Sequence, residues 1–296
     1  MDQPHFLLTG STGFVGRAVT QELHAANVPV RHVIRRGTVD RLATLGPQDS
    51  VVECDDVFAQ PADWWTEVAT GCETLLHLAW YAEPGKYQLS PRNFDCLCGT
   101  LQIAEGAIQA GVARFVGTGT CLEYDLRGGE VSAQTRLDPQ SPYAAAKAAC
   151  ALSLGQLLPQ AGMSFLWARL FYLYGAGEDP RRLTAYIHRQ LAAGEAADLS
   201  AGDQIRDFLD VRDAARLLVR EALSARTGAT NISSGRGVSV RALAEQIADG
   251  YGRRDLLRFG VRPGNPDDPP VVIGLREGDT DAAPPDHVVA KRVGAA

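Results

Sequence analysis

The chain has 296 residues, of which 45% are hydrophobic and 22% charged, a composition typical of one elaborated α/β domain or about two globular domains with a full core. The formal net charge of −6 argues against a nucleic-acid partner, and no apolar run approaches the ~18 residues that a membrane helix needs. The six cysteines lack metal-type pairing and the N-terminus lacks an export segment, so we expect buried, reduced thiols in a cytoplasmic protein.

The N-terminal part of the chain carries a strand, a glycine-rich turn and a helix in immediate succession. A short apolar run from His5 to Thr9 predicts a buried strand, and it ends in glycines spaced three apart at Gly10, Gly13 and Gly16. Gly10 permits a tight turn, Gly13 lets the backbone approach a pyrophosphate, and Gly16 lets the helix pack closely on the strand. This context favours a dinucleotide-binding turn over a glycine-rich turn without function.

The next two predicted strands end in charged residues. Val30 to Ile34 predicts the second strand, which ends in Arg35 and Arg36. An acidic residue at this position binds the ribose 2′-hydroxyl of NAD, whereas arginine suits a 2′-phosphate, so we expect NADPH rather than NADH. The alternative is that both arginines are solvated charges at a strand end. The third predicted strand ends at Asp55 and Asp56, in a position to approach the adenine.

Strands and helices alternate along the rest of the chain. The predicted strands lie at 74–79, 114–117, 164–170, 208–211 and 231–233, and the predicted helices at 61–70, 94–108, 181–194, 213–224 and 240–251. This alternation predicts an α/β fold with a parallel, doubly wound sheet, in which ligands bind beyond the carboxyl ends of the strands. His77 lies inside the strand at 74–79, which favours a core histidine over a catalytic one.

This arrangement brings a threonine, a tyrosine and a lysine to the ends of neighbouring elements. Thr120 follows the fifth strand, and a helix opens at Ser141-Pro142 after a polar loop. Tyr143 and Lys147 are four residues apart and therefore project from one face of that helix. The alternative is an exposed tyrosine–lysine contact without function, which the placement of the helix directly after the Thr120 strand disfavours.

These three side chains suit the reduction of a carbonyl by hydride transfer. The alkoxide that forms must be protonated, and lowering the pKa of tyrosine from ~10 to ~7 takes roughly 4 kcal/mol. An ammonium ~4 Å away at an effective dielectric of ~20 supplies about that much. We therefore expect Lys147 to lower the pKa of Tyr143 and to hold the nicotinamide ribose, while Thr120 orients the substrate oxygen.

Taken together, Gly10-x-x-Gly13-x-x-Gly16, Thr120 and Tyr143-x-x-x-Lys147 resemble the extended short-chain dehydrogenase/reductase superfamily. The sequence looks most like its nucleotide-sugar epimerase, dehydratase and reductase branch. The segments that carry this likeness are His77-Leu78-Ala79, Arg169 to Gly175, Arg206 to Asp213 and Arg262-Pro263-Gly264.

The resemblance covers residues 5–265 and implies an organisation for the whole chain. It implies a Rossmann domain over 1–170 with later strands interleaved, a mainly substrate-binding lobe over 171–265, and an irregular tail over 266–296. From Pro263 onward we expect little regular structure, because prolines and aspartates dominate without apolar periodicity. The resemblance also implies a homodimer formed through the long helices.

The resemblance further implies the residues of the site. Besides the three glycines, those expected at the cofactor are Thr12, Phe14, Val15, Arg35, Arg36, Asp55, Asp56, Leu78, Ala79 and Lys147. Those expected at a nucleotide-sugar substrate are Trp80, Thr120, Cys121, Tyr143, Tyr172, Arg181, Arg206 and Arg262. In this branch, arginines placed like Arg206 and Arg262 present their guanidinium groups to the substrate diphosphate, and Arg169 and Arg182 are further candidates.

Departures from the patterns of the branch narrow the predicted reaction. Sugar 4,6-dehydratases carry Asp-Glu directly after the catalytic threonine, where this chain has Cys121-Leu122, so we do not expect dehydration. Glu123 comes one place later and remains a candidate for the pocket. Tyr172 and Cys96 stand where many epimerases carry asparagine. Residues 118–125 are similar to 4-ketoreductases that act on nucleoside-diphosphate 4-keto-6-deoxyhexoses.

The sequence therefore predicts an NADPH-dependent reductase of a 4-keto-6-deoxy sugar linked to a nucleotide, with thymidine diphosphate as the expected nucleotide. One alternative is an NAD-dependent nucleotide-sugar epimerase, which recycles its cofactor. The others are a non-catalytic NADP-binding regulator and a reductase of an unrelated small ketone. No metal is expected at the site.

Overall fold

The computed structural model describes residues 5–265 and 267–276. The strands in this part of the chain are β1 (Phe6–Thr9), β2 (Val30–Arg35), β3 (Ser50–Cys54), β4 (Thr74–His77), β5 (Arg114–Thr120), β6 (Glu130–Val131), β7 (Ser164–Leu170), β8 (Tyr172–Tyr174), β9 (Ala197–Asp198), β10 (Ile205–Arg206), β11 (Phe208–Asp210), β12 (Gly228–Ile232), β13 (Val238–Ser239), β14 (Leu257–Arg258) and β15 (Val271–Gly274). The helices are α1 (Phe14–Ala25), α2 (Ala62–Ala69), α3 (Arg92–Gln109), α4 (Pro142–Gln160), α5 (Leu183–Ala192), α6 (Val211–Leu223) and α7 (Val240–Tyr251).

Seven parallel strands form the main sheet, in the order β12-β7-β5-β4-β1-β2-β3. Its central strands read as nearly continuous apolar runs, because helices cover both faces of the sheet. The strand order reverses between β1 and β4, and this reversal opens a crevice at the carboxyl ends of the two strands. The predicted doubly wound sheet is confirmed.

Two hydrophobic clusters hold the helices on the sheet. On one face, apolar residues of α1 and α6, such as Val19 and Leu218, pack against strand residues including Leu8. On the other face, residues of α2, α3 and α4 pack around Trp65 and Ile103. The apolar stripe of each helix therefore faces the sheet, and the three layers place the starts of α1 and α4 at the same edge.

β5 is longer than the sequence pattern indicated. It continues past Gly117 to Thr120, because its whole length pairs with β7, where Thr120 lies opposite Leu170. Thr120 is therefore the last residue of a strand rather than the start of a loop. Its backbone is fixed on one side by the main sheet.

A smaller lobe lies beyond β7. Its core is formed by α5 and α7, through residues such as Ile187, Leu191, Leu243 and Ile247. Short strands complete it, with β9 paired to β14 and β11 paired to β8. α6 and β12, which come from the same part of the chain, instead join the layers of the main sheet.

The expectation of little regular structure after Pro263 was wrong at Val271–Gly274. These residues form β15, which pairs with β10 and β6. Val272 is fully buried against residues such as Phe171. A run of three β-branched residues was the available signal, and the prolines before it concealed it. The remainder of the predicted tail, 277–296, lies outside the described residues.

Two further expectations concern surface and environment. Among the described helices, none has both the length and the apolar character needed to span a membrane. Five of the six cysteines are buried, as expected, but Cys98 is exposed on α3. The expectation of buried thiols is therefore wrong for Cys98, which lies on a different face of α3 from the buried Cys96.

Candidate active site

The glycine turn between β1 and α1 is closed by contacts that leave no room for side chains. Gly10 has a φ of +77°, and a Cβ there would lie 2.7 Å from the amide nitrogen of Ala79. A Cβ on Gly16 would lie 2.0 Å from the carbonyl oxygen of Gly10. Leu78 follows β4 and donates its amide to Thr9, at 3.2 Å. The structure thus brings Leu78 and Ala79, both predicted cofactor residues, against the turn. Because the turn contains glycines, a ligand can approach its backbone closely.

Helix α1 begins directly after this turn, and the backbone amides of its first turn have no partner within the helix. Gly13 is the residue before the helix, and Phe14 and Val15 begin it without a side-chain cap. Unpaired amides at a helix N-terminus attract anions such as a pyrophosphate. The Ser11 hydroxyl is buried and has no hydrogen-bond partner among the described residues, so the turn also holds a free polar group. A cradle of this kind fits the pyrophosphate of a dinucleotide.

The end of β2 carries the charges expected near the ribose 2′-phosphate, and the end of β3 those expected near the adenine. Arg35 is exposed and makes no ion pair within the described part of the chain. Arg36 is paired with Asp55, with 2.9 Å between Nε and Oδ1. The Asp56 carboxylate accepts the amide of Phe58 at 3.0 Å and so caps a turn. Of the two arginines, Arg35 has the charge that remains available to a ligand.

Of the three predicted catalytic residues, the structure places Thr120 and Tyr143 at one cavity, while Lys147 is buried and does not line it. Ser141 caps α4 by accepting the Ala144 amide, and Pro142 occupies the first turn. This start fixes the helix beside the end of β5. Thr120 and Tyr143 line one cavity of about 560 Å³, which lies between the main sheet and the smaller lobe.

The Lys147 side chain is buried behind this cavity. Its Nζ donates a hydrogen bond to the Thr118 carbonyl at 2.6 Å and lies 3.9 Å from the ring centroid of Trp80. Burial lowers the pKa of Lys147 to about 8. Trp80, expected at the substrate, is not among the residues that line the cavity. It stacks on the ammonium and donates its ring N–H to Asn93 at 2.9 Å.

Tyr143 has its pKa shifted in the direction opposite to the predicted one. Burial of the phenol raises the pKa, and a hydrogen bond with the Thr120 side chain opposes the rise. The ring packs edge-on against Tyr87, with 4.8 Å between centroids. Because the Lys147 ammonium is directed at the Thr118 carbonyl and the Trp80 ring, its charge does not offset the desolvation of the phenol.

Thr120 is held by the short 3₁₀ turn that follows it. Its hydroxyl accepts the Leu122 amide, and its own amide donates to Glu123 Oε1 at 2.8 Å, which together form a capping box. Glu123 is fully buried and also binds Arg169, with 2.7 Å between Oε2 and Nε. Neither Glu123 nor Arg169 therefore reaches the substrate cavity, although both were candidates from the sequence.

A hydrogen-bond network that the sequence analysis missed lies behind Glu123. Arg169 Nη1 donates to the Tyr124 hydroxyl at 2.9 Å, which donates to Asn231 Oδ1 at 2.7 Å. Trp167 Nε1 donates to both oxygens of Glu123 at 3.1 Å. The available signal was an arginine inside an otherwise apolar strand, since a buried charge needs a partner.

His77 is a core residue, as predicted. The Thr100 hydroxyl donates to the Cys96 carbonyl at 2.7 Å, so it accepts from His77 Nε2 at 3.1 Å. The Thr9 hydroxyl lies 2.8 Å from Nδ1 and donates to it. A neutral imidazole satisfies both contacts, and burial lowers the pKa of His77 to about 3.

Most of the predicted substrate residues line the cavity. These are Thr120, Cys121, Tyr143, Tyr172, Arg181 and Arg206, together with Phe14 and Val15 from the predicted cofactor set. Arg181 stands at the exposed rim, where its guanidinium pairs with Asp179 at 2.8 Å and with Glu83 at 3.4 Å. The cavity thus combines aromatic walls with a few cationic groups, as small-molecule sites usually do.

Arg206 and Arg262 are not brought to the same cavity. Arg206 is 3% exposed, pairs with Asp268 at 2.7 Å and lies over the Tyr172 ring at 5.3 Å. Arg262 lines a neighbouring cavity of about 420 Å³ and stacks on Tyr186 at 4.5 Å. The structure therefore separates the two arginines that were expected to share a diphosphate.

Comparison with known proteins identifies what this arrangement resembles. The model of the NAD dependent epimerase/dehydratase family matches residues 6–233. The chain is similar to a dTDP-6-deoxy-L-talose 4-dehydrogenase (NAD(+)) of Aggregatibacter actinomycetemcomitans, with 23% identity over 276 residues that cover 92% of this chain and 100% of the relative. It is 27% identical over 271 residues to a UDP-glucose 4-epimerase of Streptomyces lividans, covering 82% of this chain and 79% of the relative.

A solved structure shares the fold across almost the whole chain. It is that of UDP-N-acetylglucosamine 4-epimerase from Methanobrevibacter ruminantium M1 in complex with UDP-N-acetylmuramic acid. The two superpose with a TM-score of 0.80 at 19% sequence identity, covering 94% of this chain and 91% of the other. At this identity the likeness shows the fold alone.

Proposed function

Because the chain belongs to the NAD dependent epimerase/dehydratase family, we propose that it is an NADPH-dependent reductase that converts the keto group of a dTDP-linked 4-keto-6-deoxyhexose to the alcohol. The observation that carries the proposal is that Thr120 and Tyr143 line one cavity with Arg206, while Lys147 lies one helical turn behind Tyr143. The relative named as a dTDP-6-deoxy-L-talose 4-dehydrogenase supports it, since oxidation at that carbon is the reverse of this reduction.

The cofactor preference rests on the end of β2. The glycine turn and the amino end of α1 would hold the pyrophosphate, and Lys147 the nicotinamide ribose. Arg35, exposed and without an ion pair in residues 5–265 and 267–276, would bind the 2′-phosphate of NADPH. The name of the dehydrogenase relative specifies NAD(+), so NADH is the alternative that must be measured.

The proposed chemistry divides the work among three residues. A nicotinamide cofactor, when bound, supplies the hydride. The Thr120 hydroxyl orients the ketone oxygen by a hydrogen bond. Tyr143 holds its proton at neutral pH, because burial raises its pKa, and donates that proton to the alkoxide as it forms. With a pKa of about 8, Lys147 remains mostly an ammonium at neutral pH, the charge state in which it would hold the hydroxyl groups of the nicotinamide ribose.

The absence of a dehydratase acid supports reduction over elimination. Cys121 and Leu122 follow Thr120, and burial raises the pKa of Cys121 to about 12, so its thiol does not supply a base at neutral pH. Glu123 is engaged by the Thr120 amide and by Arg169. Among the described residues, the carboxylate that contacts Thr120 is therefore already engaged and is not free to remove a proton from the sugar.

The proposal predicts stoichiometric oxidation of NADPH by dTDP-4-keto-6-deoxyglucose, followed by the ultraviolet absorbance of the reduced nicotinamide. We expect NADH to react much more slowly, and Arg35→Ser to reduce the preference for NADPH. Tyr143→Phe should lower kcat by about 100-fold or more, because the general acid is lost, while cofactor binding is retained. Full activity of Tyr143→Phe would contradict the mechanism. If the parent chain itself binds the cofactor without turnover, that result would instead favour the non-catalytic regulator.

A sugar-nucleotide epimerase is the second candidate, favoured by the 27% identity to a UDP-glucose 4-epimerase. It differs from the reductase in its use of cofactor, since an epimerase reoxidises the nicotinamide cofactor that it has reduced and consumes none overall. Purified protein that carries NAD and changes the sugar without net loss of NADPH or NADH would identify the epimerase.

A further inference from the structure

The guanidinium of Arg206 is occupied by a carboxylate of the same chain. Asp268 Oδ1 lies 2.7 Å from Nη2 of Arg206, and Nη1 donates to the Ile205 carbonyl at 2.7 Å. The arginine is 3% exposed, whereas the Asp268 side chain is 32% exposed. Arg206 and Asp268 both line the substrate cavity. Arg206, a buried cation in the cavity wall, is thus paired with the partly exposed carboxylate of Asp268.

The position of Asp268 is fixed by strand pairing. It lies three residues before β15, and the Ile205 amide donates to the Pro270 carbonyl at 2.8 Å as β15 begins to pair with β10. The acid next to Arg206 in sequence, Asp207, is engaged elsewhere, because it accepts the amides of Ser234 and Gly274. Pairing of β15 with β10 therefore places Asp268, and not Asp207, against the guanidinium.

Asp268 also stands between the two cavities. Together with Gln204 it lines both the substrate cavity and the neighbouring cavity that contains Arg262. Gln204 Nε2 donates to Asp268 Oδ2 at 3.4 Å, so the two side chains form one partition. Movement of Asp268 would free Arg206 and open the path toward Arg262.

We propose that Asp268 is an internal anion that neutralises Arg206 until a substrate diphosphate displaces it, and that this exchange sets the affinity of the cavity for diphosphates. The inference rests on the proposed function, since it takes the substrate to be a nucleoside diphosphate derivative. A phosphate group and the carboxylate are both anions and compete for the same guanidinium charge. Asp268 spares Arg206 from being a buried charge without a partner, at the cost of weaker binding by every anionic ligand.

The partial exposure of Asp268 makes the exchange feasible. Its carboxylate can turn to water, where it is well solvated, whereas Arg206 has no such route. The opened partition would let a diphosphate reach toward Arg262 as well. The separation of the two arginines in the structure is therefore the closed arrangement of one anion site.

The test measures binding of thymidine diphosphate to the full chain by titration calorimetry. Asp268→Asn removes the charge and keeps the shape, and we expect it to tighten binding by about tenfold, since the competing carboxylate is gone. Asp267→Asn is the matched control, because it removes the same charge from the exposed neighbouring residue and should leave the affinity within about twofold. Arg206→Gln should weaken binding in both the parent chain and the Asp268→Asn variant.

The outcomes separate this inference from the proposed function. An affinity of Asp268→Asn no higher than that of Asp267→Asn would overturn the inference, as would the absence of binding in every variant. Tighter binding by Asp268→Asn without any oxidation of NADPH would uphold the exchange and refute the reductase. Oxidation of NADPH with an unchanged affinity in Asp268→Asn would do the reverse. An unfolding curve of each variant establishes that the folded chain is being compared.

Discussion

At the scale of single residues, burial dominates the electrostatic surroundings of Tyr143 and Lys147. Thr120, Tyr143 and Lys147 were placed together because strand ends and a helical spacing of four determine their positions. The rise in the pKa of Tyr143 depends on its burial and on the direction of the Lys147 ammonium, which only the folded chain defines. Contacts between residues far apart in the chain, such as that of Glu123 with Arg169, leave no trace in local spacing.

His77 gives a residue-scale prediction for the effect of pH on stability. Its pKa is about 3 when folded, and the unfolded chain has the ordinary value of 6.5, so between these values the unfolded chain binds more protons. Stability should therefore fall as pH decreases from about 6.5 toward 3, with a contribution from His77 of up to about 1.4 kcal/mol per pH unit.

Urea unfolding near neutral pH and again at about pH 5 would measure this contribution. His77→Gln cannot titrate, so its free energy of unfolding should fall by about 2 kcal/mol less over that interval than that of the parent chain. Equal losses in the two proteins would contradict the assignment of His77 as a neutral core residue.

At the scale of elements, long segments with a clear period were predictable and short ones were not. The strands of the main sheet and the helices α1 to α7 lie within a few residues of their expected positions. The two-residue strands β6, β9, β10, β13 and β14 have no periodicity to read, because pairing with distant segments creates them. β15 matters most among the missed elements, since its pairing with β10 positions Asp268 beside Arg206.

The two helices that open at the site offer an element-scale prediction through their glycines. Gly16→Ala should destabilise the protein by about 3 kcal/mol and weaken cofactor binding, because its Cβ would lie 2.0 Å from the Gly10 carbonyl. Gly155→Ala in α4 is the control, since its Cβ would meet Phe165 at an ordinary 3.6 Å. That substitution should stabilise α4 by about 0.5–1 kcal/mol.

Urea denaturation and titration with NADPH would measure both variants. Gly16→Ala with unchanged stability would show that the turn can open, contrary to the close packing of α1 on the strand. A destabilised Gly155→Ala would show that α4 does not tolerate a methyl group near Phe165.

At the scale of the whole molecule, the class of fold was predictable, whereas the way its parts are joined was not. Alternating strands and helices indicated the doubly wound sheet, and the seven-stranded order bears this out. The contact between the main sheet and the smaller strands could not be predicted, because it is made by β15, which pairs with both β10 and β6. Leu275, the residue after β15, accepts a hydrogen bond from Asn231 of β12 at 3.0 Å. This contact therefore depends on β15, which lies near the end of the described residues and far in sequence from the strands that it joins.

This contact predicts that the four-stranded sheet of β13, β10, β15 and β6 unfolds together with the main sheet. Val272→Ala should lower the free energy of unfolding by about 2 kcal/mol, because Val272 is completely buried. Val261→Ala is the control, since Val261 is 58% exposed and should change stability by no more than about 0.5 kcal/mol.

Tryptophan fluorescence provides the readout for this prediction, because all four tryptophans lie between Trp64 and Trp167 and report on the main sheet. Val272→Ala should shift the midpoint of the fluorescence transition in urea, although the substitution lies in another sheet. A fluorescence midpoint that stays unchanged while circular dichroism shows an earlier transition would mean that the parts unfold separately.

The buried pair of Glu123 and Arg169 has a consequence for how this sequence can change over evolutionary time. Both side chains are almost completely buried, so loss of either one leaves the other as an unpaired charge, which typically costs about 3–5 kcal/mol. Replacement of both by apolar residues avoids that cost. An evolving sequence can therefore lose this pair only through a destabilised intermediate or through a coupled double substitution. The same limit on substitution applies to the turn that follows β5.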